Sequence, residues 1–137
     1  MKQFSLDIVT PERLAFTQDV ELVTVPSTDG EITILPHHIP LFASLTEGEV
    51  RLHYEGEDYF LSIGGGFIEV TPTKITILVT RAYKAEELNE KAILKAKQEA
   101  EEALKRGGTP QDIQAAYALL RSSLVDLRVL RRRRVRV

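Results

Sequence analysis

The stretch DGEITILPHHIPLFASLTEGEV, Asp29–Val50, decides how the N-terminal part of the chain folds. Short apolar and β-branched runs alternate in it with turn-forming pairs such as Asp29-Gly30 and Glu47-Gly48. The same pattern extends outward from Phe4 to about Thr80, with further breaks at Thr10-Pro11, Glu55-Gly56, Gly64-Gly65-Gly66 and Thr71-Pro72. Strands at such short, regular spacing predict an antiparallel β sandwich or barrel.

After about Arg81 the period of the apolar residues changes from two to that of a helix. Strong helix formers fill residues 86–105, and Gly107-Gly108 ends this segment. Thr109 as N-cap and Pro110 as first residue then open a second helix. The predicted apolar faces are Leu88, Ala92, Ala96, Ala100 and Ala103 on the first helix, and Ile113, Ala116, Tyr117, Leu120, Leu124 and Leu127 on the second. The short loop predicts an antiparallel helical hairpin.

The length and composition are typical of a soluble globular protein, and they predict one main domain. The chain has 137 residues, of which 43% are hydrophobic and 28% charged. Because it has no cysteine, disulfides, thiolate zinc sites and cysteine nucleophiles are excluded. Since no apolar run is long enough for a membrane helix, membrane association is expected only through partners. We divide the chain into a β-sandwich domain, residues 1–84, and a hairpin with a basic tail, residues 85–137.

Charge is distributed unevenly along the chain. From Arg121 onward there are seven Arg and one Asp, which leaves 11 basic and 19 acidic residues in positions 1–120. A basic tail of this kind is either a solvated segment without a binding role or a binding site for an anionic partner. The candidate partners are an anionic membrane, nucleic acid and an acidic protein surface. Without interleaved aromatic residues, and with an acidic body behind it, nucleic acid is not favoured.

No catalytic or metal-binding constellation stands out in the sequence. His37 and His38 lie between prolines, and the neighbouring acids Glu31 and Glu47 lack recognisable ligand spacing, so turn or interface histidines are favoured over a metal site. The run Gly64-Gly65-Gly66 is followed by a strand rather than a helix, which favours a tight turn or bulge over a phosphate cradle. We expect no enzyme activity, no cofactor and no metal.

The opening stretch resembles the epsilon subunit of F-type ATP synthases, called delta in mitochondria. The resemblance is carried, in the same order along nearly the whole chain, by Pro26–Leu41, Gly64–Val70, Ile75–Val79, Glu87–Ala92 and Leu127–Val129. It implies a sandwich of about ten strands followed by a two-helix hairpin. It also implies a non-catalytic part of the central rotor stalk that couples the gamma subunit to the ring of c subunits. The alternative interpretation is a stand-alone β-sandwich module that uses its basic tail on nucleic acid or acidic lipid.

The resemblance also implies where partners bind. In the family, the acid and histidine that match Glu31 and His38 lie in the region facing the c ring and gamma. The hairpin carries basic residues to an acidic loop of a catalytic beta subunit, where it obstructs rotation and suppresses ATP hydrolysis. We assign Arg121, Arg128, Arg131, Arg132, Arg133 and Arg134 to that contact. The expected location is peripheral, at the cytoplasmic face of the plasma membrane.

Some bacterial relatives also bind ATP through charged residues on both helices. The matching positions here are Asn89, Ala92, Ser122 and Asp126, and each change removes a favourable charge or adds one that repels phosphate. We therefore expect weak or absent nucleotide binding.

Overall fold

The computed structural model describes the backbone of residues 2–135 and the side chains of residues 2–132. The β-strands are β1 (Phe4–Val9), β2 (Leu14–Val20), β3 (Leu22–Ser27), β4 (Gly30–Ile34), β5 (Leu41–Leu45), β6 (Gly48–Tyr54), β7 (Glu57–Ile63), β8 (Gly66–Val70), β9 (Lys74–Val79) and β10 (Ala82–Lys84). A 3-10 turn, Ala85–Glu87, leads into two helices, α1 (Glu90–Arg106) and α2 (Pro110–Val135). The predicted fold, a β sandwich followed by a helical hairpin, is confirmed.

The ten strands form one sheet with the order β10-β7-β6-β3-β5-β8-β9-β1-β2, and β4 pairs with β3 beside this path. The sheet folds back on itself, since the rings of Phe16 on β2 and Tyr54 on β6 lie 6.4 Å apart. The expectation of purely antiparallel pairing is wrong at one place. Strand β1 runs parallel to β9, with Ser5 opposite Lys74, because the first strand fills the gap between β2 and β9.

Alternating residues of most strands fill a continuous core between the layers. Leu6 and Ile8 are fully buried, as are Ile68 and Ile77 on the neighbouring β8 and β9. The largest fully buried side chains in the described chain are aliphatic, which is the composition that the period-two pattern predicts. The sandwich is therefore a stiff body onto which loops and helices are attached.

The glycine run Gly64-Gly65-Gly66 connects β7 to β8, as predicted for a tight connection. Gly64 donates its amide hydrogen to the Arg81 carbonyl oxygen at 3.0 Å, which joins this connection to the segment between β9 and β10. A Cβ atom on Gly66 would overlap the Leu78 carbonyl and lie 2.8 Å from the Val79 Cα. Close backbone approach, rather than phosphate binding, explains why glycine stands here.

The hairpin begins and ends its helices with the capping residues that the sequence contains. The Asn89 side chain accepts a hydrogen bond from the Ala92 amide at 3.0 Å and caps α1. Gly107, with φ of 72°, ends that helix in a conformation that suits glycine. Thr109 and Asp112 form a reciprocal cap at the start of α2, each side chain accepting from the other residue's amide, at 3.1 and 3.0 Å.

The faces that the helices bury differ from the predicted stripes. Tyr117 and Leu124 were expected in the stripe of α2 but are 50% and 44% exposed. Val125 and Val129 are buried instead. The reason is that α2 packs against both α1 and strands β6 and β7, so its buried surface follows two neighbours rather than one. Ile93 of α1 joins Leu127 and Leu130 in a small apolar cluster that also contacts Leu88.

The cap at Asp112 gives a pH-dependent prediction. The amide and hydroxyl of Thr109 hydrogen-bond the carboxylate, which lowers the pKa of Asp112 in the folded hairpin. Its contribution is thus present above the unfolded pKa of about 3.9 and is lost as pH falls through the lower folded pKa. We expect Asp112→Asn to speed amide exchange in the first turn of α2 at neutral pH, with the difference from the parent shrinking as the carboxylate is protonated. A difference that is constant with pH would contradict this prediction.

Candidate partner-binding surfaces

The loop after β4 exposes apolar side chains beside the histidine pair. Leu35 is 54% exposed and Ile39 is 75% exposed. His37 adopts a φ of 65°, and the His38 ring nitrogen Nδ1 lies 2.6 Å from the Ile39 carbonyl oxygen, a contact that orients the imidazole. The loop has the shape and exposure of a contact surface.

The structure does not bring Glu31 and His38 together. Glu31 lies near the start of β4 and is exposed, whereas His38 follows the end of that strand and is half-buried. Glu31 lines a cleft beside α2 together with Glu49, Arg128 and Arg132. The two residues assigned to one partner therefore lie at opposite ends of a strand, and Glu31 faces the hairpin side in this conformation.

A second apolar surface lies on the outer face of the sheet and was missed by the sequence analysis. The rings of Phe42 and Phe67 stack 5.5 Å apart and are 64% and 46% exposed. Leu78, 47% exposed, stands opposite Phe67 in the pairing of β8 with β9. We call Phe42, Phe67 and Leu78 the aromatic patch. The signal was present in the sequence, because Phe67 occupies an outward position of β8 where alternation predicts a polar residue.

Among the arginines of α2 whose side chains the structure describes, Arg121 and Arg132 lie near carboxylates of the sandwich. Arg121 is exposed and its Nε lies 4.0 Å from a Glu47 carboxylate oxygen. Arg128 and Arg131 are exposed, and both line a cleft of about 640 Å³ between the hairpin and strand β7. Arg132 places its Nε 3.3 Å from Glu49. Arg133 and Arg134 lie outside the residues whose side chains the structure describes.

The positions that match the nucleotide site of relatives have other roles here. Asn89 caps α1, Ala92 is exposed, and the Ser122 hydroxyl donates to the Leu119 carbonyl oxygen at 3.1 Å. Asp126 accepts a hydrogen bond from Arg81 at 2.9 Å. A carboxylate in this place repels phosphate. Weak or absent nucleotide binding stays a prediction.

Within the described residues, no group of three or more His, Cys, Asp and Glu side chains could hold a metal ion. No helix in that part of the chain is both long and apolar enough to span a membrane. A sandwich with a docked hairpin, an exposed apolar patch and surface arginines is typical of a protein that binds other proteins.

Comparisons with known proteins identify the family. Residues 3–85 match the family model described as ATP synthase, Delta/Epsilon chain, beta-sandwich domain. The chain belongs to this delta/epsilon chain family of ATP synthases. The ATP synthase epsilon chain of Dehalococcoides mccartyi is 38% identical over 135 residues, covering 98% of this chain and 96% of that protein. The epsilon chain of Bacillus velezensis is 37% identical, covering 94% of this chain and 98% of that protein.

Two solved structures share the fold. A chain of the Euglena gracilis mitochondrial ATP synthase assembly of OSCP, F1 and c ring aligns with a TM-score of 0.67 at 21% identity, covering 94% of this chain and 78% of that one. A chain of the Tetrahymena thermophila mitochondrial central stalk and c ring aligns with a TM-score of 0.60 at 14% identity, covering 94% and 97%. Family membership confirms the resemblance found in the sequence, and with it a non-catalytic subunit of an ATP synthase.

Proposed function

We propose that this chain is a central-stalk subunit of the rotor of an F-type, proton-translocating ATP synthase, where it couples the gamma subunit to the c ring. The observation that carries the proposal is the match to ATP synthase epsilon chains along both the sandwich and the hairpin, over 98% of this chain. The fold shared with a chain of a central stalk and c ring assembly supports it. The alternative interpretation, a stand-alone module for nucleic acid or acidic lipid, finds no support in these comparisons.

The sandwich, residues 1–84, is the anchor in this proposal. A rigid body with a filled aliphatic core transmits torque through its surface contacts without deforming. The exposed loop with His38, the acid Glu31 and the aromatic patch are the surfaces that we assign to gamma and the c ring. Membrane association is indirect, through the c ring, and the location is the cytoplasmic face of the plasma membrane.

The hairpin, residues 85–137, is the regulatory element. Its apolar cluster of Ile93, Leu127 and Leu130, with Leu88 beside them, lies within the hairpin and is separate from the core of the sandwich. An element with its own small cluster can move away from a larger body without unfolding that body. In the extended position, Arg121, Arg128 and the run from Arg131 to Arg134 contact an acidic loop of a catalytic beta subunit, and the hairpin suppresses ATP hydrolysis.

The test compares ATP hydrolysis by the reconstituted catalytic head and gamma subunit carrying either the full chain or a chain truncated after Ala85. We expect truncation to raise hydrolysis several-fold while the complex still assembles, because the sandwich retains the anchoring surfaces. Inhibition by the full chain should weaken as salt rises from 0.05 to about 0.5 M, since exposed charge pairs are screened. Equal hydrolysis by both complexes would contradict the regulatory part of the proposal, and failure of the truncated chain to bind would contradict the anchoring role of the sandwich.

A matched control separates the arginines from net charge. In one variant, glutamine replaces four arginines of α2 (Arg128, Arg131, Arg133 and Arg134). In the control, glutamine replaces four basic residues of α1 (Lys91, Lys95, Lys105 and Arg106). Both variants lose four positive charges. Only the first should relieve inhibition.

A further inference from the structure

A partly buried network of ion pairs joins α2 to the sandwich. The Arg81 guanidinium lies between two carboxylates, with Nη1 2.9 Å from Asp126 of α2 and Nη2 3.2 Å from Glu47 of the β5–β6 turn. The three side chains are mostly shielded, with exposed fractions of 22% for Arg81, 16% for Asp126 and 27% for Glu47. Arg81 thus connects the sandwich to the middle of the second helix, 45 residues further along the chain.

A second connection lies about two turns further along α2. The Arg132 Nε lies 3.3 Å from Glu49, whose side chain is only 13% exposed, and the Arg132 guanidinium carbon lies 5.5 Å from the centre of the Phe60 ring. This geometry combines an ion pair with a cation–π contact. Arg121 adds a longer, exposed contact to Glu47 at 4.0 Å.

We propose that these residues form an electrostatic latch that holds the hairpin against the sandwich. The latch consists of Glu47, Glu49 and Arg81 on the sandwich and Asp126 and Arg132 on α2. It rests on the proposed function in one respect, that the hairpin has a second position in which Arg121 and Arg132 meet an acidic partner. Glu47 and Glu49 then compete with the acidic partner for Arg121 and Arg132. Each arginine can pair with the sandwich or with the partner, but not with both at once.

The ion pairs act together with apolar packing, since Val125 and Val129 of α2 are buried in the docked state. Among the described residues, Leu94, Tyr117, Leu119 and Leu124 of the hairpin remain exposed in the docked state. Partly buried pairs also differ from surface pairs such as Lys97 with Glu101, 3.7 Å apart on α1. When one member of a shielded pair is removed, the remaining charge is left without its partner, and reversal of its sign adds repulsion.

The latch is tested on the isolated full chain by the distance between two spin labels. The sequence has no cysteine, so labels attach only at introduced sites, for which we choose exposed Thr28 on the sandwich and Gln114 on α2. The parent is expected to give one narrow distance distribution. Arg81→Glu and Glu49→Arg should each raise the population at longer distances at least about tenfold. The charge-exchanged double variant, Glu49→Arg with Arg132→Glu, should restore the narrow distribution.

Glu101→Lys serves as the control, because it reverses an exposed charge on α1 whose ion pair among the described residues is with Lys97 of the same helix. It should leave the distances unchanged. The latch is wrong if Arg81→Glu and Glu49→Arg keep the narrow distribution, or if the exchanged pair fails to restore it while the sandwich retains its circular dichroism spectrum. Because the spin-label experiment uses the isolated chain without the ATPase, its result does not depend on the truncation assay. Opened hairpins that leave hydrolysis unchanged in the reconstituted complex would contradict the regulatory function and leave the latch intact.

Discussion

Replacing Gly66 with alanine is expected to lower the free energy of unfolding of the sandwich by about 3 kcal/mol. The added methyl group would overlap the Leu78 carbonyl and press against the Val79 Cα, which belong to the paired strand β9. Backbone atoms within a ladder cannot move aside without breaking hydrogen bonds, so the clash cannot be relieved by a side-chain rotation. Chemical denaturation of the full chain, followed by circular dichroism, measures the change.

The neighbouring glycine provides the matched control. A Cβ atom on Gly65 would lie 3.4 Å from the Leu45 carbonyl oxygen, an ordinary contact distance, and Gly65 is not among the glycines with positive φ. Gly65→Ala should therefore change the stability by less than about 1 kcal/mol. If the two variants unfold at the same denaturant concentration, the short distance between Gly66 and β9 is not the reason why position 66 requires glycine.

The second large effect is expected at Ile77, which is fully buried at the centre of the core. Ile77→Ala removes three carbon atoms from a close-packed interior and should cost about 2–5 kcal/mol of stability. Leu78, the next residue on the same strand, is 47% exposed. Leu78→Ala should change stability by no more than about 0.5 kcal/mol. Similar losses in both variants would show that the outer face of β9 is covered in the isolated chain.

The Leu78→Ala variant also tests the aromatic patch. Because it is expected to leave the fold intact, any loss of partner binding by this variant is due to the missing Leu78 side chain.

Local chemistry explains which features could be predicted from the sequence. The strands followed from the alternation of apolar residues and from turn pairs such as Asp29-Gly30, because side chains on a strand point to opposite faces. The start of α2 followed from Thr109 and Pro110, because threonine is favoured as an N-cap and proline at the first position of a helix. These features depend on neighbours within a few positions, which a sequence displays directly.

Features that depend on distant partners could not be obtained in the same way. The buried face of α2 is chosen by two surfaces, so Val129 became buried while Leu124 became exposed. From the sequence, Asp126 was interpreted only as a charge that repels phosphate. Its ion pair with Arg81 could not be predicted, because the two residues meet only when the hairpin docks on the sandwich. The arginines were assigned to an external partner, whereas in this conformation Arg132 is already paired with Glu49.

The parallel pairing of β1 with β9 has a consequence for synthesis of the chain on the ribosome. Ser5 is made early, and its opposite residue Lys74 emerges only after most of the sandwich has been translated. Until then one edge of β1 has no partner, and the layers cannot close. Pairing between residues so far apart in sequence makes folding slow compared with the local pairing of two helices. Both helices follow β9 in the chain, so the hairpin is translated after the strand that allows the sandwich to close.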